Sequence, residues 1–442
     1  MKMRKWIAAL LVLALSAGLL TGCGKKEPPE DEKSSPVLPD QSAEEESLDL
    51  ADIKDIYLTT AGIPGDTRVA AIGEYGMTAA EVLFWVNKGI DLYMVRAGQA
   101  GITAPPWDRK EDSGKTPQEI FLEQGLQAAA FHRAVRAMAA QEGVPMSEQE
   151  KADLEFGIKN VTETLRGEDK LLHVLMLQAA DLDQYRRNSD QDTCYDHLVD
   201  LYYGKDSGSC PTDEQVRAFA LDELGHYRAK HILLRNEDLL TDEKLDEAAC
   251  RKKKEKAEKI LQEIRKADDP VAKFNEQMLY FSEDPGLMDN EDGYDAVLGQ
   301  MAPAFEETAL KLKEWEISDV VESEHGYHII MRLPLDNIGP YREALIGNLM
   351  SERVEKWMEG MELTTEPVLD GLDVRAFWEK EKLVKDAVRE EFEAISEEEA
   401  AKRAEEEAAQ KEKEGGTADK SAEDPAGDLS AEPSSSEQKT DP

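Results

Sequence analysis

Ala229-Lys-His-Ile-Leu-Leu234, Ser282-Glu-Asp-Pro-Gly286, Gly299-Gln-Met-Ala-Pro-Ala-Phe-Glu306 and Gly326-Tyr-His-Ile-Ile330 follow one another in this order between residues 224 and 335. Around the first, Tyr227, Ala229, His231 and Leu233 alternate with Arg228, Lys230 and Ile232, which is the period of a strand. The charged stretch at about 241–266 reads as a long helix and 271–280 as a second, ended by the Ser-Glu-Asp-Pro-Gly turn. After a loop rich in Gly, Asp and Asn, residues 303–312 read as helix. Residues 320–322 and 327–333 read as two strands joined through His325-Gly326. His328 then shares a face with Ile330, and His231 with Ala229 and Leu233, so both histidines project from apolar faces.

Working outward, 69–72 is strand-like, 73–76 turns it, and Thr78-Ala-Ala-Glu81 has the spacing of a capping box, which predicts a helix from Thr78. Val82, Trp85, Val86 and Ile90 recur on one face of it. A loop at 101–115 with Pro105, Pro106 and Gly114 separates it from further helical stretches at about 117–143, 147–165, 171–187, 191–203 and 212–223. Beyond the motif segment, Leu345, Leu349, Val354 and Trp357 continue a helical pattern from Pro340. Residues 363–368 suit a strand, and another helix begins near Val374. After about Ser396 the chain is Glu, Ala, Lys, Ser and Pro without an aromatic residue, the composition of a disordered tail or a solvated, frayed helix.

Lys2, Arg4 and Lys5 precede an apolar run from Trp6 to Leu20 that is short for a membrane span and suits a signal peptide. Leu20-Thr-Gly-Cys23 resembles a bacterial lipobox, which makes Cys23 a lipid-anchored residue. Residues 24–50 have almost no bulky apolar side chain and read as a tether. The formal net charge of −41 argues against nucleic-acid binding. Cys194, Cys210 and Cys250 make no disulfide framework, although Cys194 and Cys210 are able to close one loop. Cys194-x-x-His197 lacks a second pair with metal spacing, so a structural cysteine and a surface histidine are expected there in place of a metal site; no cofactor is expected.

The four motifs, in this order, resemble the parvulin family of prolyl isomerases. Taken singly, a histidine in an apolar strand is more often a core residue, and Met301 with Phe305 an ordinary packed pair. The resemblance implies a cleft in which His231 and His328 face each other, Asp284 is the acidic neighbour and Ser323 polarises the second histidine. Met301 and Phe305 form the floor under a proline, with Gln300 and Tyr294 also at the substrate. Parvulins commonly carry Gly-Gly-Asp-Leu-Gly-x-Phe before the methionine motif. Here the chain reads Glu291-Asp-Gly-Tyr-Asp-Ala-Val297, which puts Ala296 where an aromatic usually walls the pocket. Tyr294 is the candidate to replace it. Glu283, Asp284, Asp289, Glu291, Asp292 and Asp295 would give the rim a negative charge that favours basic residues before the proline.

The wider order of elements resembles extracytoplasmic foldase lipoproteins of the PrsA type, and more distantly SurA. That likeness implies an α+β multidomain chain in which a small antiparallel sheet surrounded by helices is inserted into a mainly helical chaperone domain. The expected division is signal peptide 1–22, tether 23–50, helical domain 51–223, parvulin-like domain 224–335, returning segment 336–388 and acidic disordered tail 389–442. The implied function is isomerisation of X-Pro bonds in newly secreted, unfolded proteins, at the extracytoplasmic face of a membrane through the lipid anchor. A homodimer is compatible with it. The alternative is a non-catalytic holdase with a degenerate parvulin domain, and a third reading, a scaffold acting through the acidic tail, leaves 224–335 unexplained.

Overall fold

Unpaired amide donors at helix starts are met by side chains at the spacing the sequence shows. Glu81 N–H donates to Thr78 Oγ1 at 3.4 Å while Glu81 Oε2 accepts from Thr78 N–H at 2.9 Å. The same reciprocal box opens the helices that follow Thr116, Ser147 and Thr212. The structure, a computed structural model, describes residues 48–241 and 243–415. Its architecture is α+β, with long helices around two small antiparallel sheets.

The first sheet has the order β2-β1-β7, where β1 is Arg68–Ile72, β2 is Tyr75–Thr78 and β7 is Leu363–Thr365. Ala70 pairs with Thr365 and Ile72 with Leu363, so segments from both sides of the motif region complete one sheet. Helices Ala79–Gly98, Pro117–Gln141 and Val374–Gly415 share its core, in which Tyr57, Val69, Leu83, Val86, Ile90 and Phe377 are buried. A Cβ on Gly125 would lie 2.4 Å from Val86 Cγ2 and 2.8 Å from its backbone nitrogen. The first two of these helices therefore cross at a distance that only glycine permits. Met350 and Val354 of helix Gly339–Met358 pack on Val135, Met138 and Leu198 in a second core.

Several boundaries differ from the sequence reading. The stretches expected at 171–187 and 191–203 are instead Glu168–Met176 and one continuous helix, Leu182–Tyr203. The chain breaks between them, where Ala179 takes a φ of 51° and Asp181 caps the new helix by accepting from Gln184 N–H at 2.6 Å. The charged helix begins only at Glu247, because residues before it form a loop bridged between Glu237 and Lys244. The region from 389, expected to be disordered or, beyond about Ser396, at best a frayed solvated helix, stays helical to Gly415. Its early part is held down: Phe392 packs on the first core, Glu391 lies 2.6 Å from His173 Nδ1 and also pairs with Lys170. Leu50, placed at the end of the tether, is buried. The signal peptide, Cys23 and most of the tether lie outside the described residues, as does 416–442. No described helix is long and apolar enough to cross a membrane. Among the described residues Cys194, Cys210 and Cys250 are free thiols, so the loop-closing pair is not formed.

Glu381 is fully buried in the first core and neither carboxyl oxygen has a hydrogen-bond partner. Lys385, one turn on, is committed to Asn87 and Asp91 at 2.9–3.0 Å. Burial pushes the Glu381 carboxyl up to about 7. The folded chain then keeps a proton that the unfolded chain releases near the ordinary carboxylate value, so stability falls as pH rises from about 4.5 to about 7. Glu381→Gln is expected to remove this slope, gaining about 3 kcal/mol relative to the parent between pH 4 and 8 in urea unfolding. Parallel pH profiles for the two proteins would contradict the assignment.

Candidate active site

The second sheet has the order β4-β3-β6-β5, with β3 His226–Arg235, β4 Tyr294–Val297, β5 Val321–Ser323 and β6 Gly326–Leu333. The sequence reading missed β4, because its four residues follow a Gly/Asp/Asn-rich run and are too few to show a period. One face of this sheet carries Ile232, Leu234, Ile329 and Met331 against Ile260, Ile264, Phe274 and Met278 of helices Glu247–Lys266 and Pro270–Phe281. The other carries Tyr227, Ala229, Ala296 and Ile330 against Phe305 and Ala309 of helix Pro303–Lys311. Both histidines lie on this second face.

His231 stands opposite Ile330 and Leu233 opposite His328, which makes the two histidines diagonal neighbours across the antiparallel pair. Their Nδ1 atoms are 3.0 Å apart, with ring planes 14° from parallel and centroids 5.2 Å apart. That separation, with the nitrogens in contact, means the rings meet edge to edge. Beyond Ala229, β3 loses its β4 partner, and residues 282–284 take over its backbone groups. Glu283 N–H donates to Leu233 O at 2.7 Å, Leu233 N–H to Ser282 Oγ at 3.1 Å and Arg235 N–H to Glu283 Oε2 at 2.8 Å. Asp284 is thereby set beside His231, whose Nε2 lies 3.0 Å from its Oδ2. Tyr294 O–H donates to the same oxygen at 2.5 Å, and Gly286 N–H to Oδ1 at 3.2 Å.

At the far end Ser323 Oγ lies 2.7 Å from His328 Nε2 and accepts from His325 N–H at 3.1 Å. The turn closes this tightly because Gly326, at φ 138°, has no Cβ; one would sit 2.2 Å from Leu234 O. Phe305 stands nearly perpendicular to both imidazoles, at 5.3 and 5.6 Å. Met301, Phe305, Gln300 and Tyr294 line a cavity of about 350 Å³ with the two histidines. Every residue that the sequence assigned to the site, Cys23 apart, is therefore brought to one cleft. Gln300 also accepts from Val297 N–H at 3.1 Å, which pins the end of β4.

Ala296, on β4 itself, is buried in one cluster with Phe305 and does not line the cavity. Two residues earlier on the same face, Tyr294 does line it, its ring perpendicular to His231 at 5.6 Å. Two acids of the rim are spent elsewhere: Glu283 pairs with Lys253 at 2.5 Å and Asp295 with Arg228 at 2.9 Å. Of the six rim acids only Asp284 lines the cavity, whose other charged walls are Arg235 and Glu237, bonded to each other. Those two, with Pro285 and His325, were not assigned to the site from sequence, although Pro285 lies within a motif, Arg235 and His325 adjoin one and Glu237 is three residues beyond Leu234.

Burial alone would raise the Asp284 carboxyl, but hydrogen bonds from His231 and Tyr294 outweigh it and hold the group down to about 2. Burial, with His231 adjacent, holds His328 down to about 3, so this imidazole is neutral. Burial and the Asp284 carboxylate push the Tyr294 phenol up. Among the described residues no cluster of three or more His, Cys, Asp or Glu side chains is arranged for a metal ion. Cys194 is buried 3.8 Å from Asp190, and His197 is bonded to Val144 O and Glu150.

Residues 231–333 match the family model described as rotamase, the PPIC-type PPIase domain. The foldase protein PrsA of Staphylococcus aureus strain MRSA252 is 30% identical over 202 residues, 45% of this chain and 57% of that protein. The chain thus spans little more than half the length of this relative. Among solved structures, PrsA from Bacillus anthracis shares 17% identity over 59% of this chain and 94% of its own, with a TM-score of 0.20. The PPIase domain of TbPar42 shares 24% identity over 24% of this chain and 99% of its own, with a TM-score of 0.21.

Because His328 stays neutral to about pH 3 while an unfolded histidine takes up a proton near 6.5, its stability contribution is intact above 6.5 and lost progressively below it. His328→Gln is expected to flatten the fall between pH 7 and pH 4.5 by about 2–3 kcal/mol in denaturant titrations. An unchanged slope would mean that the imidazole titrates freely in the fold.

Proposed function

We propose, from the membership of residues 231–333 in the PPIC-type peptidyl-prolyl isomerase family, that this chain is a folding factor. It binds exported, unfolded proteins and catalyses cis/trans isomerisation of their X-Pro bonds. The observation that carries the reading is the edge-to-edge imidazole pair of His231 and His328 above Phe305, in one cavity with Met301 and beside Asp284.

Amide resonance sets a barrier of about 18–20 kcal/mol for this rotation, and no bond has to break. A cleft lowers it by gripping the proline ring, stripping water from the preceding carbonyl and fitting the twisted amide better than either planar isomer. Met301 and Phe305 supply the apolar grip, with Tyr294 and Gln300 as walls. The chain from Asp284 through His231 and His328 to Ser323 supplies a fixed polar edge, all of its members being partnered. Catalysis is non-covalent and uses no cofactor.

The helical parts, 51–223 and 336–388, act in this reading as the chaperone body that holds clients, with the chain acting singly or as a homodimer. Cys23 carries a lipid that tethers it to the extracytoplasmic face of the membrane. The second reading, a holdase without turnover, rests on Ala296 replacing an aromatic. Tyr294 in the cavity wall speaks for the catalytic one.

On a short X-Pro peptide, His231→Ala and Met301→Ala are each expected to lower kcat/KM by about tenfold or more. Equal rates for the parent, both variants and buffer would leave only the holdase. For the tether, Cys23→Ala is expected to move the protein from the membrane fraction into the medium, and retention at the membrane would refute lipidation there.

A further inference from the structure

The hydrogen bonds linking Asp284, His231, His328 and Ser323 have two possible directions, since a neutral imidazole donates through one nitrogen and accepts through the other. In the first, Ser323 O–H donates to His328 Nε2, His328 Nδ1–H to His231 Nδ1, and His231 Nε2–H to the Asp284 carboxylate. In the second, a protonated Asp284 donates to His231 Nε2, His231 Nδ1–H donates to His328 Nδ1, and His328 Nε2–H to Ser323. Either leaves both rings neutral. They differ by one proton, taken up on Asp284 in the second and absent from the first, since Ser323 keeps its hydroxyl proton in both, and by the tautomer of both rings.

Tyr294 breaks this symmetry. Its O–H donates at 2.5 Å to Oδ2 of Asp284, the same oxygen that faces His231. The second direction requires that oxygen to carry a proton of its own, and a carboxylic hydroxyl is a much poorer acceptor than a carboxylate oxygen. The phenol bond and the reversed chain therefore compete for one atom. The phenol sits in a place shaped for it: a Cβ on Gly286 would lie 2.4 Å from Tyr294 Oη, and Asn290 Nδ2 fastens the same turn by donating to Gly286 O at 2.9 Å.

We propose that Tyr294 is a positioning residue that sets the direction of this chain, keeping Asp284 a pure acceptor, His231 protonated at Nε2 and His328 at Nδ1. Its effect on rate rests on the isomerase reading above, whereas its effect on tautomers does not. Long-range proton–nitrogen spectra of the imidazoles in the full chain read the tautomers directly. The parent is expected to show the first pattern alone. Tyr294→Phe, which keeps the ring, is expected to mix in the second at a higher pH than the parent as the pH is lowered and Asp284 takes up a proton, with kcat lowered about tenfold and KM changed less than about twofold. Gly286→Ala should produce the same mixed spectra by displacing Oη, which covers a Tyr294 variant that fails to fold. Spectra in both variants identical to the parent would overturn the proposal. A parent with no turnover above buffer would remove the isomerase reading and leave the spectra to decide this one.

Discussion

One proton shared between the Nδ1 atoms of His231 and His328 fixes much of the geometry of the second sheet. For the buried ring of His328 and the partly buried ring of His231 to meet edge to edge at 3.0 Å, the strands that carry them must pair in one register. A slip of one residue would turn a ring into the opposite face, where Ile232 and Ile329 pack on two helices. The turn before β6 must also be tight enough for Ser323 to reach the far nitrogen, and it turns at a residue without a side chain. Where β4 stops, a loop must replace it along β3, and that loop delivers the carboxylate. Strand length, turn residue and loop path thus all answer to a single hydrogen bond.

Two buried polar places among the described residues show opposite solutions. In the cleft each polar atom of the linked side chains has a partner, which lets a row of polar groups ending in one carboxylate cross an otherwise apolar face. In the helical core Glu381 has none, and the fold accommodates it by keeping it protonated. Acid therefore works against the first place and in favour of the second.

The motif order made the cleft legible because its residues sit at the ends of strands and turns, where type and spacing leave few choices. His231, Asp284, His328 and Ser323 were each readable in this way. The contribution of Ala296 was not, since only the pairing of β4 with β3 decides which residues of that strand reach the cavity. Tyr294 was visible as an aromatic nearby, but its bond to Asp284 depends on the space above Gly286. Along the helices, capping boxes announced starts well, whereas the break at Ala179 left no mark in composition. The helix beyond 389 escaped because its anchors, Glu391 and Phe392, are matched by Lys170, His173 and a core formed far away in sequence.

Strand β1 lies between β2, its immediate successor, and β7, which arrives only after the entire second sheet has been made. While the chain emerges from its N-terminus, β1 and β2 form a hairpin whose β1 edge is still open, and the unit around His231 has all its own strands in hand before β7 exists. The order of appearance thus favours the cleft maturing first, on a body still unfinished. An open edge strand is a ready template for pairing with other chains. A protein of this build is itself exposed to aggregation until its last strand is laid down.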